Sequence, residues 1–233
     1  MSKDREKPQG ASGQISVGAA GVEWQRIEFP AQKAERERLI ADLFVKAFDH
    51  FVLAQSEPLL APFGAPKQNA ENDLDFTVTT ADGEKLMELA EFAPLQEHGP
   101  KFENAPNAID PREKAPLALR LIELKSAHQG GAGRFLVLYS TEHAFKLTDP
   151  LTVEFLRRSL SASPPKFDRV YFLSVHNLGE GSVTELYPGK PHPYFGRLPN
   201  EKLKHIRMQA PHPREMAAIA RSQESSDPGS SPG

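Results

Sequence analysis

The chain contains no cysteine, which removes disulfides, cysteine-ligated zinc, iron–sulfur clusters and thiol nucleophiles from consideration. It has no run of about 18 apolar residues, the length a membrane-crossing helix requires. Met1–Gly13 is polar and lacks the apolar stretch of a secretory signal, so a cytoplasmic location is expected. Charge of one sign is not in excess either. Lys and Arg number 28 against 31 Asp and Glu, for a net charge of −3, which argues against a general polyanion binder and still allows a local basic surface. The eight histidines show no HExxH spacing, which argues against zinc. GxSxG, Walker A and GxGxxG motifs are absent. Gly130, Gly131 and Gly133 follow a helical pattern rather than a strand, as a cap and turn would. No internal repeat is visible.

What is present fits one domain with loose ends. There are 233 residues, 39% hydrophobic and 25% charged, enough for one packed core. Residues 1–22 carry charge, then Gly, Ser and Ala without an apolar period, and are expected to be disordered. Residues 23–188 hold the α/β domain, 189–221 a basic extension, and 222–233 a Ser/Pro/Gly tail expected to be disordered. Leu39, Ile40, Leu43, Phe44, Ala47, Phe48 and Phe51 recur at helical spacing, which predicts a helix from about Gln32 to Leu53. LDFTVTT, residues 74–80, alternates apolar and polar side chains; Asp82-Gly83 supplies a turn, and KLMELAEF, residues 85–92, reads as the partner strand. A long surface loop is expected next. Pro116 would open a helix running to about His128, with Leu117, Leu121 and Leu124 on one face. RFLVLYS, residues 134–140, is apolar enough for a strand buried on both sides. A helix at Pro150–Leu160, a central strand at Phe167–Val175 and a short edge strand at Ser182–Leu186 complete the order. A mixed central sheet flanked by helices is the expected fold class.

The hairpin carries the most chemistry. Asp75 points away from the Leu74/Phe76/Val78 face and Glu88 away from the Met87/Leu89 face. If the apolar faces share a core, the two carboxylates share the opposite one, an oxygen-rich pair suited to Mg²⁺. Acids on the solvent face of a hairpin are also a common, purely structural feature. Glu91 breaks the alternation and is either a third ligand or an exposed strand end.

LDFTV…GEKLMELAEFAPL, LRLIELKSAH, FLVLYSTEHAF and FDRVYFLSV together, over residues 32–187, resemble the PD-(D/E)XK, or restriction-endonuclease-like, superfamily. The resemblance implies a nuclease-like α/β fold and Mg²⁺- or Mn²⁺-dependent hydrolysis of DNA, with a homodimer compatible with it. Asp75 matches the first acid and Glu88 the second. The motif lysine is missing, because Ala90 stands two residues past Glu88. Lys125, on the following helix one turn from His128, is the substitute the superfamily pattern implies. That gives Asp75, Glu88 and Lys125 as catalytic candidates and Asp75, Glu88 and Glu91 as metal ligands, with Glu37 and Asp42 as further contacts. Lys190, Arg197, Lys202, Lys204, Arg207 and Arg214, beside Tyr187, Tyr194 and Phe195, form a basic stretch suited to a nucleic-acid backbone. The missing lysine favours the rival reading, an inactive member of the fold that binds protein or nucleic acid.

Overall fold

The computed structural model describes residues 8–18, 21–50, 52–53, 63–70, 74–98, 101–106 and 108–206. Strands β1 (Gly13–Gly18) and β2 (Gly21–Arg26) pair as an antiparallel ribbon. Helix α1 (Lys33–His50) leads to β3 (Val52–Leu53), β4 (Lys67–Gln68), β5 (Phe76–Thr80) and β6 (Gly83–Glu91). Then come α2 (Leu95–His98), α3 (Pro111–Gln129), β7 (Gly131–Tyr139), α4 (Pro150–Ala162), β8 (Phe167–Asn177), β9 (Glu180–Tyr187) and α5 (Asn200–Leu203). The main sheet has seven strands in the order β3-β9-β8-β7-β6-β5-β4. Strands β6, β7 and β8 run parallel; β5 runs antiparallel to β4 and β6, and β9 runs antiparallel to β8 but parallel to β3. This is the mixed sheet flanked by helices that the alternation of elements predicts.

Strand periodicity sorts the core into two layers. Phe76, Val78, Met87, Leu89, Phe135 and Val137 face α1, whose Ile40, Phe44, Ala47 and Phe48 recur at helical spacing. Leu136, Leu138, Val170 and Phe172 face the other way, against Ala118 and Ile122 of α3 and Leu156 and Leu160 of α4. Both sides of β7 are therefore apolar, as its composition requires. The turn before β6 places Gly83 at φ 100°, a left-handed conformation that favours glycine. The resulting register sets Phe76 opposite Met87 and Val78 opposite Lys85.

Several expectations are corrected. The lead was expected to be disordered to residue 22, yet residues 8–18 are placed, because their polar groups are bonded: Gly10 N–H donates to Thr141 Oγ1 (3.1 Å) and Ala11 N–H to Glu142 Oε2 (2.7 Å). Residues 1–7 and the 222–233 tail lie outside the described residues. Helix α1 ends at His50, and Val52–Leu53 pairs parallel to β9, so β9 is not the sheet edge. Helix α3 begins at Pro111 rather than Pro116, since the Asp110 carboxylate caps it by accepting Arg112 N–H (2.9 Å). The buried face of α3 is Ala115, Ala118 and Ile122, and Leu124 is 57% exposed. Residues 189–206 of the basic extension are held against α4. Arg158 of α4 donates to the carbonyls of Phe195 (2.8 Å) and Leu198 (2.7 Å), and Glu154 accepts the His192 N–H (2.8 Å).

Phe44 is fully buried, with the rings of Phe48, Phe63, Phe135 and Tyr171 centred 5.3 to 5.8 Å away. Phe44→Ala is expected to cost about 3–5 kcal/mol, read as a lower urea midpoint. A loss below about 1 kcal/mol would mean that α1 does not organise this face.

Candidate functional site

The site follows from where β5 stops. Strand β6 continues past Met87, and on its inner side Glu88–Glu91 still pairs with β7. On its outer side the ladder ends, and the Asp75 side chain takes over the next backbone donor: Leu89 N–H donates to Asp75 Oδ2 at 2.8 Å. Continuing the register of β5 and β6 sets Asp75 opposite Glu88. Asn69 fixes the start of β5. Its amide donates to the Leu74 carbonyl (2.8 Å), its backbone N–H donates to the Asp75 carbonyl (3.0 Å), and its Oδ1 accepts from Thr77 Oγ1 (2.8 Å).

Glu88 and Ala90 lie on the α3 face of β6. Across from them, Lys125 of α3 places its Nζ 2.6 Å from Glu88 Oε1. Glu88 is 2% exposed, and its other oxygen, Oε2, is buried without a hydrogen-bond partner among the described residues. Burial pushes the Glu88 carboxyl above its ordinary value, the Asp75 charge pushes it further, and the Lys125 ammonium only partly offsets both. An orphaned, buried carboxylate oxygen beside a second carboxylate is a donor set that a cation would complete.

These groups open into one cleft of about 930 Å³, lined by Asp75, Glu88, Glu91, Lys125 and Glu37 among others. The structure therefore brings together Asp75, Glu88 and Lys125 and places Glu91 and Glu37 in the same cleft. Glu91 leaves the strand on the α1 side, where its charge and that of Glu37 help to raise the Tyr139 phenol, after burial itself. Thr141 Oγ1 donates to Glu91 Oε1. Among the described residues, no group of three or more His, Asp or Glu side chains is gathered closely enough to hold a metal. Glu91 therefore does not complete a compact trio with Asp75 and Glu88, because positions three apart on one strand point to opposite faces. Two carboxylates remain, a set Mg²⁺ tolerates when water and substrate phosphate supply the other oxygens.

Other expected contacts lie elsewhere. Asp42 pairs with Arg38 (3.0 Å) on the exposed side of α1, and His128 is exposed and outside the cleft lining. Lys190, Arg197, Lys202 and Lys204 do not line the cleft, and Arg207 and Arg214 lie outside the described residues. The cations at the cleft, besides Lys125, are Arg26, Lys33 and Lys101. Sequence reading missed these, and it missed Pro8 and Gln9, which form part of the wall. Gln9 is held by reciprocal bonds to the Phe29 backbone (2.9 and 3.2 Å), and Arg36 donates to the Pro8 carbonyl (2.9 Å).

No family model matches the chain, and no curated protein matches it. Among solved structures the chain is similar to one described as "The structure of Pyrococcus Furiosus SfsA in complex with Ca2+", with 18% identity, 78% of this chain and 77% of that chain covered, and a TM-score of 0.24. A likeness of that size carries no argument about the site. No helix among the described residues is long and apolar enough to cross a membrane.

The electrostatics make a stability test. A carboxyl raised in the fold binds its proton more tightly there than in the unfolded chain. Glu88 thus costs nothing well below its ordinary value of 4.5, and stability falls as pH rises from there through the raised native value. Glu88→Gln is expected to be more stable than the parent at neutral pH, and the advantage should vanish below about pH 4.5. Urea denaturation at the two pH values reads this directly. An advantage that persists at low pH would place its origin outside Glu88 ionisation.

Proposed function

We propose that the cleft is a metal-dependent phosphodiester-cleaving site of PD-(D/E)XK type that acts on DNA. The observation that carries this reading is the convergence of Asp75, Glu88 and Lys125, with one Glu88 oxygen buried and unpartnered. Asp75 and Glu88 would hold Mg²⁺ or Mn²⁺, which when bound supplies positive charge beside the phosphate and a lowered water pKa. Asp75 is oriented by the Leu89 N–H and Glu88 by the strand itself, so both acids are positioned before any ligand arrives. Lys125 replaces the lysine missing at Ala90. Both residues line the cleft, and the ammonium on α3 acts as a point charge that orients a water or a phosphate oxygen. Arg26, Lys33 and Lys101 favour a neighbouring stretch of backbone. The basic extension bearing Lys190, Arg197, Lys202, Lys204 and Arg207 is a second DNA contact in this proposal.

A non-catalytic binding module is the alternative. It is favoured by the Glu88–Lys125 ion pair, which is already closed at 2.6 Å, and by Ala90 at the motif position.

Cleavage of supercoiled, linear duplex and single-stranded DNA with Mg²⁺ or Mn²⁺ separates the two. Asp75→Ala and Glu88→Ala are each expected to abolish cleavage. Lys125→Ala should lower it by roughly 100-fold while calorimetric metal binding survives. Metal binding by the parent should be weak without DNA and absent in Asp75→Ala. Cleavage that persists unchanged in Asp75→Ala would sink the mechanism, and a parent that binds DNA without cutting it would leave the binding module.

A further inference from the structure

The cleft has two unlike walls. One carries the carboxylates at the end of β6. The other is apolar: Ala93, Leu95, Phe102 and Leu121 line the cleft while their inner sides pack on the core beneath α3 and α4. Arg120 of α3 pairs with Glu97 of α2 at 2.9 Å, which ties together the two elements that carry Leu121 and Leu95. Along α3, Leu121, Lys125 and Gln129 stand at successive helical turns and all face the cleft. An apolar side chain, an ammonium and an amide thus follow one another in a line past the acids. Lys101, exposed, stands at the rim next to Phe102.

This sequence of surfaces matches a nucleotide chain whose bases are unstacked. In a duplex the base faces are hidden between neighbouring pairs, so an aromatic wall gains nothing from it. A single strand can lay one base on such a wall while its backbone follows the cations. We propose that the cleft takes single-stranded DNA, with one unpaired base packed on Phe102 and Leu121, its phosphate at Lys125 and the acid pair, and an adjacent phosphate at Lys101. This rests on the reading of the cleft as a phosphodiester site, and it adds the strand form and the base-contacting residues.

The test is fluorescence anisotropy with a labelled oligo-dT and a labelled duplex of equal length, with Ca²⁺ in place of Mg²⁺ so that the strand is retained. The parent should bind the single strand more tightly than the duplex. Phe102→Ala should weaken single-strand binding by about five-fold or more, the loss of one stacked base, and leave the duplex unaffected. Phe102→Leu keeps the packing against the core and should show a smaller loss in the same direction, which guards against misfolding of the alanine variant. Equal affinity for both forms, no binding of either, or parental single-strand affinity in Phe102→Leu overturns the inference. Because the readout is binding, the two proposals can fail separately. Duplex cleavage that depends on Asp75 but not on Phe102 removes this inference alone, and single-strand binding without cleavage removes the catalytic reading alone.

Discussion

A backbone N–H at a sheet edge facing a cleft needs an acceptor, and in this protein the acceptor for Leu89 is a side chain. The Asp75 carboxylate occupies the position that the next carbonyl of β5 would have filled. That single bond ends β5, leaves the outer edge of β6 open from Leu89 to Glu91, and anchors one acid of the site in place. Had β5 run on by two residues, a backbone carbonyl would take the Leu89 N–H and the Asp75 carboxylate would lose this anchor. Asn69, which holds the Leu74 and Asp75 carbonyls, is what keeps the strand start from slipping, and a slip of one residue would send Asp75 to the α1 face.

Glu88 illustrates the energetic side of the same constraint. Burying a carboxylate costs free energy unless its lone pairs are satisfied. Lys125 satisfies one oxygen and nothing among the described residues satisfies the other. A site optimised for stability alone would place glutamine or an apolar residue there. Retaining a strained, ionisable group at the floor of a cleft is the pattern expected where function offsets a stability loss.

The parts of this structure legible in the sequence are those governed by periodicity and turn chemistry. Alternation in LDFTV and the Asp82-Gly83 turn located the hairpin and put Asp75 and Glu88 on one face. The continuous apolar run at 135–139 identified the strand buried on both sides. Legibility failed where side chains bond backbone. Two prolines, Pro111 and Pro116, both suit a helix start, and only the Asp110 cap distinguishes them. The N-terminal segment has no apolar period because it is held by hydrogen bonds to Thr141, Glu142 and Arg36 rather than by an apolar face. The cleft cations Arg26, Lys33 and Lys101 are scattered along the chain, so no local cluster marks them, whereas the contiguous basic extension is conspicuous and lies outside the cleft lining.

The charge balance of the cleft bears on how an anionic ligand would enter. Its lining carries four cationic side chains, Arg26, Lys33, Lys101 and Lys125, and five anionic ones. Three of these cations are already engaged by acids, Lys125 with Glu88 at 2.6 Å, Lys33 with Glu37 at 3.3 Å and Arg26 with Glu28 at 3.5 Å. Glu37, Asp75, Glu88 and Glu91 lie deeper in the cleft, while Lys101, Arg26 and the acid Glu103 are exposed. A phosphodiester approaching alone is therefore attracted at the rim and repelled at the floor. A divalent cation arriving with it reverses the floor's sign and offers the Glu88 oxygen the partner it lacks. Under the proposed function, cation and strand each raise the affinity for the other, a reciprocity that linkage requires of any two ligands sharing a favourable contact.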